Sequence, residues 1–281
     1  MAAKEDLREF LRSRRARIEP ADVGLAPGDR PRRVPGLRRE ELARLAGVSV
    51  DYYVRLEQGR DLNVSHGVLD AIARVLQLSD DEHVHLVDLA QPTARRRRAP
   101  VTKSQRVRPG VRMLVDAFPT PAFVLGRRLD FLATNAMARA LLFDVDAASP
   151  HERNHARWVF LDPAARERYA DWEAIARDNV ATLRMDAGRH PDDPELAALV
   201  GELALASPQF ASWWADHDVL RRRHGTKLYR HPVVGELTVA YEALTLPDDT
   251  DQTLFLYTVE PGSPSQQAMS LLGSWTAHPA R

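Results

Sequence analysis

The chain has 281 residues, 44% hydrophobic and 28% charged, the composition of a globular protein long enough for two hydrophobic cores. It contains no cysteine, which excludes disulfides, thiolate nucleophiles and cysteine-based zinc sites. Basic and acidic side chains balance at 39 each, but residues 1–110 hold 22 basic against 16 acidic, leaving 17 against 23 in the remainder. A basic half joined to an acidic one suits a polyanion-binding domain followed by a different one. No stretch approaches the roughly 18 apolar residues of a membrane span, and the opening MAAKEDLREF lacks an apolar signal core. No membrane partner is expected, and a cytoplasmic location is.

The first 90 residues read as short helices. Leu7, Phe10, Leu11 and Arg14 form the stripe of the first. Residues 19–36 hold four prolines and three glycines and are expected to form a loop. A second helix spans about Arg38 to Ala46, with Leu42, Leu45 and Ala46 inward, and Gly47 ends it. Ser49 caps a third, which carries Tyr53 and Leu56 and stops at Gly59. A fourth turns Leu69, Ile72, Ala73 and Leu76 inward, and a fifth covers about Asp80 to Leu89. Residues 93–109, with prolines and the run Arg95–Arg98, read as a basic linker, either solvated or tracking phosphates.

Beyond the linker the pattern becomes mixed. Ala122–Leu125 and Leu129–Ala133 predict a hairpin around Gly126-Arg127-Arg128. A short helix spans Asn135–Phe143, and a single long helix follows Asp162-Pro163 with Tyr169, Trp172, Ala176 and Leu183 inward. Helices are expected over Pro194–Leu205 and from Ser207-Pro208. Lys227–His231, Glu236–Leu246 and Thr253–Val259 are strands, the second with Leu237, Val239, Tyr241 and Ala243 on one face. The sum is a small antiparallel sheet covered on one face, an α+β domain over 110–262, with a polar, irregular tail over 263–281.

The most specific pattern is Arg38-Arg-Glu-Glu-Leu-Ala-Arg-Leu-Ala-Gly-Val-Ser-Val-Asp-Tyr-Tyr-Val-Arg-Leu-Glu-Gln-Gly-Arg60. Two short helices meet at a turn where Gly47 permits the sharp bend and Val48 plugs the angle. This resembles the phage-repressor-like helix-turn-helix domains of the XRE family over roughly residues 5–78, within an all-α domain of residues 1–92. The resemblance places Arg39 where a phosphate- or base-contacting glutamine commonly stands, and Val50, Asp51 and Arg55 on the reading face. Arg55 suits guanine O6/N7, Asp51 suits cytosine N4 or a neighbouring arginine, and Val50 suits a thymine methyl. Arg15 and Glu57 match a pair that forms a structural salt bridge in such domains. The link between the first two helices is longer than usual for the family, and its Arg30, Arg32 and Arg33 are expected along the phosphates or in the minor groove. Tyr52 either packs on sugar-phosphate or faces solvent. With Arg38 and Ser49 added, these residues form the candidate DNA-binding set.

In the second domain no nucleophile–base–acid set converges, and no enzymatic activity, cofactor or metal is expected. The string His151-Glu-Arg-Asn-His155 formally matches H-E-x-x-H, yet it lies in a polar, loop-like segment rather than an amphipathic helix. His217, His224 and His231 read as hydrogen-bonded fold or pocket groups. Aromatic side chains do concentrate here, with Trp158, Trp172, Trp213 and Trp214 in its helical part. Of Trp213 and Trp214, one is expected toward the core and the other toward a cavity or partner. The strings FPTPAFVLGRRLDFLATN, NHARWVFLDPAARERYADW and WWADHDVLRRRHGTKLYRHPVVGELTVAYEAL are similar to the ligand-binding domain of MmyB-like transcription regulators, a PAS-like fold. That resemblance implies a small, fatty-acyl-like ligand in the domain. The candidate ligand-binding residues are Asn135, Trp172, Phe210, Trp214, His217, Arg222 and Tyr241. The combined expectation is a homodimeric regulator that binds a double-stranded DNA operator and responds to a small molecule. The alternative is a C-terminal domain that serves only dimerisation or recruitment of a protein partner.

Overall fold

The computed structural model describes residues 2–25, 36–60, 64–91, 105–219, 223–247 and 249–277. Arg30, Arg32, Arg33, Arg95–Arg98 and Arg222 lie outside the described residues. The chain forms two compact units. A helical unit comprises Met1–Val101, Arg184–Pro194 and Trp214–Leu220, and an α+β unit comprises Thr102–Leu183, Glu195–Trp213 and Arg221–Arg281. Two short segments from the C-terminal half therefore belong to the helical unit, which a linear division near residues 93–109 does not anticipate.

The helical unit is built on α1 (Ala2–Arg17), α2 (Arg39–Leu45), α3 (Val50–Glu57), α4 (His66–Val75) and α5 (Asp80–Ala90). Its core joins Leu7, Phe10 and Leu11 of α1 to Leu42, Tyr53, Leu56, Leu69, Ile72 and Leu86, with Met185 and Val219 added from the two later segments. Within residues 19–36, expected to be loop, Pro20–Val23 forms a 3-10 turn. Gly36 has φ +76°, and a Cβ there would lie 2.2 Å from the Arg15 carbonyl oxygen, so only glycine fits. Leu45, expected inside, is 37% exposed. The inward direction of α2 falls between the buried Leu42 and Ala43, which leaves Leu45 about 110° round the helix.

The α+β unit holds a five-stranded sheet of order β2-β1-β5-β4-β3, made of β1 (Ala122–Leu125), β2 (Phe131–Thr134), β3 (His224–His231), β4 (Gly235–Leu246) and β5 (Asp249–Thr258). Every neighbouring pair is antiparallel. On β4 the alternation is clean: Leu237, Val239 and Tyr241 are buried while Thr238, Ala240 and Glu242 are exposed. The sheet was expected to be covered on one face. The other is partly covered as well, because α6 (Pro109–Ala117) packs Val111 and Val115 on Val124 and Leu254. Helices α7 (Ala136–Leu141), α8 (His155–Leu161), α9 (Pro163–Arg168), α10 (Trp172–Arg189), α11 (Pro194–Ala206), α12 (Pro208–Ala215) and α13 (Pro264–Ala277) complete the order.

Three elements differ from expectation. The long helix after Pro163 is two helices, because Tyr169 and Ala170 leave the helix to meet β3: Tyr169 bridges Tyr229, and the Ala170 N–H donates to the Leu228 carbonyl at 3.0 Å. Asp171 then starts α10 afresh, its carboxylate accepting from the Ala174 N–H at 3.1 Å. Helix α8 begins inside the supposed loop, where the Asn154 side chain accepts from the Arg157 N–H at 3.0 Å. The polar tail is not irregular either, since α13 buries Ala268, Met269 and Leu272 and contacts β4 and α7. Their i, i+1, i+4 spacing makes a narrow stripe that the surrounding serines and glutamines conceal. Among the described residues, no helix is long and apolar enough to cross a membrane.

Leu272 has no exposed surface whereas Leu271 is 62% exposed. Leu272→Ala is expected to destabilise the protein by about 2–5 kcal/mol. Leu271→Ala should change stability by less than about 0.5 kcal/mol. Chemical denaturation of the two variants checks the contrast, and equal effects would show that α13 does not pack as described.

Candidate nucleic-acid interface and ligand cleft

In the helical unit, α2 and α3 meet at Gly47, whose φ of +71° makes the sharp turn, and the Val48 N–H closes it on the Ala43 carbonyl at 3.0 Å. The Ser49 hydroxyl oxygen accepts from the Tyr52 N–H at 3.1 Å and so is occupied in capping α3. Tyr53, Leu56 and Glu57 anchor α3 inward, leaving Val50 (46% exposed), Asp51 and Arg55 outward. Asp51 and Arg55 pair across one turn at 3.8 Å. Tyr52, left open from the sequence, is partly buried against the core.

Glu57 is a buried carboxylate shared by two arginines. Arg39 donates to it through Nε and one terminal nitrogen, each at 3.0 Å, and Arg15 approaches to 3.5 Å. The Arg15–Glu57 salt bridge is thus present, and Arg39 joins it. Hydrogen bonding to Glu57 raises the Arg39 pKa above its ordinary value. The guanidinium stays half exposed while its orientation is fixed, as a positioned phosphate donor requires. Arg38 lies beside it, its backbone N–H held by the Glu41 carboxylate at 2.7 Å and its side chain 3.7 Å from Glu40.

The same unit buries a second set of charged and polar groups. Arg14 pairs with Glu82 at 2.7 Å, lies over the Phe10 ring and donates to the His217 carbonyl. Arg184 pairs with Asp6 at 3.5 Å, lies 4.0 Å from the Trp214 ring centroid and donates to the Trp214 carbonyl. Burial lowers each guanidinium to about 10, which leaves both charged at neutral pH. The His217 Nε2 lies 2.9 Å from Glu9. Burial, with the Arg184 charge next, lowers His217 to about 4, and the same two causes lower His85 to about 3.

The α+β unit has a cleft between the sheet and α10, of about 500 Å³ including the space open to solvent. Phe123, Leu125, Leu129, Ile175 and Phe255 give it apolar walls, and Asp178, Asn179, Thr182, His155, Lys227 and Tyr241 give it polar ones. A neighbouring recess shares Ile175, Asp178, Lys227 and Tyr241. Lys227 donates to the Tyr257 hydroxyl at 3.1 Å and sits 4.6 Å from the Tyr241 ring centroid. A buried chain of hydrogen bonds continues from there. Tyr257 meets Tyr229 at 3.1 Å, Tyr229 reaches Tyr169 at 3.5 Å, and Tyr169 meets the His155 Nε2 at 3.1 Å. The His155 Nδ1 faces the Asn179 Oδ1 at 2.8 Å, and the Asn179 amide donates to the Ile175 carbonyl at 2.7 Å.

The Asn179 end of this chain fixes its direction. Its amide is spent on the Ile175 carbonyl and its oxygen only accepts, so His155 carries its proton on Nδ1, Tyr169 donates to Nε2, and Tyr229 and Tyr257 each pass a hydrogen onward. Burial raises the three tyrosine pKa values, and burial with the Lys227 charge lowers His155 to about 3, so every intermediate group is neutral. Lys227 is then the cation of the chain, and its remaining N–H donors can meet an anionic group in the cleft.

Of the ligand-binding residues chosen from sequence, Tyr241 lines this cleft. Asn135 spends both side-chain atoms on structure: Oδ1 accepts from the Ala122 and Ala138 N–H groups, and Nδ2 donates to the Phe118 and Thr120 carbonyls. Trp172 donates to the Val159 carbonyl beneath Arg166, in a cluster with Phe160 and Trp213. Phe210 is fully buried against Phe160. Trp214 and His217 belong to the helical unit instead. His231 accepts from the Val233 N–H and meets the Ala140 carbonyl at 2.9 Å, and His224 is exposed on β3. The residues not foreseen are Lys227, His155, Asn179 and Asp178. Lys227 had a signal, since period-two alternation puts it on the inward face of β3 with Tyr229. Of the HERNH string, His151 is exposed near Glu202 while His155 is buried in the chain just described. Among the described residues no group of three or more His, Asp or Glu side chains could hold a metal ion.

Residues 107–272 match the model of the MmyB-like transcription regulator ligand binding domain. Residues 6–86 match a helix-turn-helix domain. No curated protein matches the chain.

The buried histidines predict acid lability. Unfolded, each imidazole titrates near 6.5; folded, His85 and His155 titrate near 3 and His217 near 4. The unfolded chain therefore binds more protons below pH 6.5, and stability is lost as pH falls from about 6.5 toward 4. Denaturation at pH 7.5, 6 and 5 is expected to show a progressive decrease, with each histidine contributing at most about 1.4 kcal/mol per pH unit. A pH-independent midpoint over that range would contradict their burial in neutral form.

Proposed function

The chain belongs to the family defined by the MmyB-like transcription regulator ligand binding domain, and we propose that it is a DNA-binding regulator that answers to a small ligand in the α+β unit. The observation that carries the ligand half is Lys227, an ammonium set among apolar and aromatic walls on an inward strand position. This arrangement suits a ligand with an anionic head and an apolar body, as an acyl chain with a carboxylate would be. The sheet order 2-1-5-4-3, antiparallel throughout, supports reading the unit as PAS-like. The regulator acts without catalysis, by the difference in ligand affinity between its DNA-competent and incompetent states.

For the DNA half, the outward set of Val50, Asp51 and Arg55 on α3, with Arg39 fixed by Glu57, supports a phage-repressor-like (XRE) mode. In that mode α3 enters the major groove and a homodimer meets two half-sites of a double-stranded operator. Duplexes selected from a random library by the full chain are expected to contain inverted repeats. Arg55→Ala should weaken binding to them by about tenfold or more. Selection of single, unrepeated sites would overturn the dimer, and full affinity in Arg55→Ala would remove that residue from the reading face.

The ligand half is tested by calorimetric titration with decanoate and with phenylacetate. Saturable binding of at least one, weakened tenfold or more by Lys227→Met, is the expected result. Absence of binding by both would favour a unit that serves only dimerisation or partner recruitment.

A further inference from the structure

The cleft of the α+β unit and its neighbouring recess meet where Ile175, Asp178, Lys227 and Tyr241 line both. An ammonium and a carboxylate therefore stand at one junction, Lys227 on β3 and Asp178 on α10. One helical turn beyond Asp178, Thr182 lines the larger cleft. The Thr182 hydroxyl donates to the Asp178 carbonyl at 2.8 Å, so its single hydrogen is spent and its oxygen can only accept from the cleft. The Asp178 carboxylate is an acceptor too. His155 adds no donor, since both of its ring nitrogens are engaged, by Asn179 and Tyr169. The polar end of the cleft is thus divided: Lys227 donates from the sheet, while Asp178 and Thr182 accept from α10.

A plain apolar carboxylate does not match this division. Its anion takes the donors of Lys227 but meets Asp178 as a like charge, and its body offers α10 no hydrogen. An ammonium placed against α10 would in turn meet Lys227 as a like charge. A hydroxyl is neutral and supplies the missing hydrogen. We propose that the cleft selects a hydroxylated acid, an apolar carboxylate with a hydroxyl beside its head, and that Asp178 and Thr182 are the residues that determine this specificity. The proposal rests on the reading of the cleft as a ligand site and names which acids that site prefers. The carboxylate lies on Lys227, the hydroxyl donates to Asp178 with Thr182 as the second acceptor, and the apolar body lies against Phe123, Leu129 and Phe255. Asp178 and Thr182 are both partly buried. An analogue without the hydroxyl displaces water from them and returns no donor, which is where the discrimination arises.

The test is calorimetric titration of the full chain with two pairs of acids that differ by one hydroxyl, decanoate with 3-hydroxydecanoate and phenylacetate with mandelate. In at least one pair the hydroxylated acid is expected to bind about tenfold tighter or more. Asp178→Ala should move the two members in opposite directions. The hydroxylated acid loses its acceptor and weakens, while the plain acid loses a like charge and binds about twofold tighter. Thr182→Val, which keeps the side-chain shape without the hydroxyl, should also narrow the preference, and it completes the test if Asp178→Ala fails to fold. Equal affinity within both pairs overturns the proposal, and so does a variant series that weakens both members alike, as a purely structural role would. Failure of all four acids to bind would instead overturn the ligand reading itself, so the two failures are separable.

Discussion

A guanidinium cannot be dehydrated unless charge and hydrogen-bond partners replace water, and in the helical unit Arg14 and Arg184 meet this demand with groups distant in sequence. For Arg14 the carboxylate comes from Glu82 on α5 and the carbonyl from His217. For Arg184 they come from Asp6 on α1 and from Trp214. Both requirements are met only if Arg184–Pro194 and Trp214–Leu220 are in place. The five helices of the helix-turn-helix region are thus part of a larger unit whose polar interior is completed by segments more than ninety residues later. This explains why the compact units do not follow the division that composition suggests, and why His85 and His217 remain neutral amid surrounding positive charge.

The α+β unit obeys the same rule with neutral groups. Tyr169, Tyr229, Tyr257, His155 and Asn179 are each buried, and each has one partner that donates and one that accepts. A directional chain of this kind tolerates a cation at one end only if that end opens on something polar, and Lys227 opens on the cleft. The break between α9 and α10 serves the chain too. Tyr169 has to leave the helix to reach Tyr229 and His155, so the interruption follows from burying the phenols together.

How much was legible in the sequence depended on whether the deciding interaction was local. Helices α2 and α3 were readable because Gly47, Ser49 and the Leu-Ala pairs act within a few residues. The strands were readable because alternation on β4 is a local signal as well. Leu45 was misplaced because a two-turn helix contains too few apolar residues to fix its inward direction. Helix α13 was missed because three buried side chains among serines and glutamines carry little apolar weight. The continuous helix expected after Pro163 failed at Tyr169 for a non-local reason, its bridge to a strand sixty residues away. Asn135, Phe210, Trp214 and His217 were reasonable choices by residue type, but other groups had already engaged them. The cleft residues Lys227, His155 and Asn179 come from a strand and two helices, and only the fold brings them together.

That contrast bears on the functional reading. The outward face proposed to read DNA is made by one short helix and its cap, so a single motif locates it, and Glu57 stands between Arg15 and Arg39 at its base. The cleft is made by the packing of a sheet on α10, and no motif marks it. A site of the first kind can change specificity by substitutions on one helix without disturbing the core. A site of the second kind cannot change its polar lining so freely, because His155 and Lys227 also hydrogen-bond the buried tyrosines and Asn179 holds His155. Its apolar walls Leu125, Leu129 and Ile175 have no such duty. The shape of the cleft can therefore change more freely at those walls than at its polar end, where Lys227 is held by the fold itself.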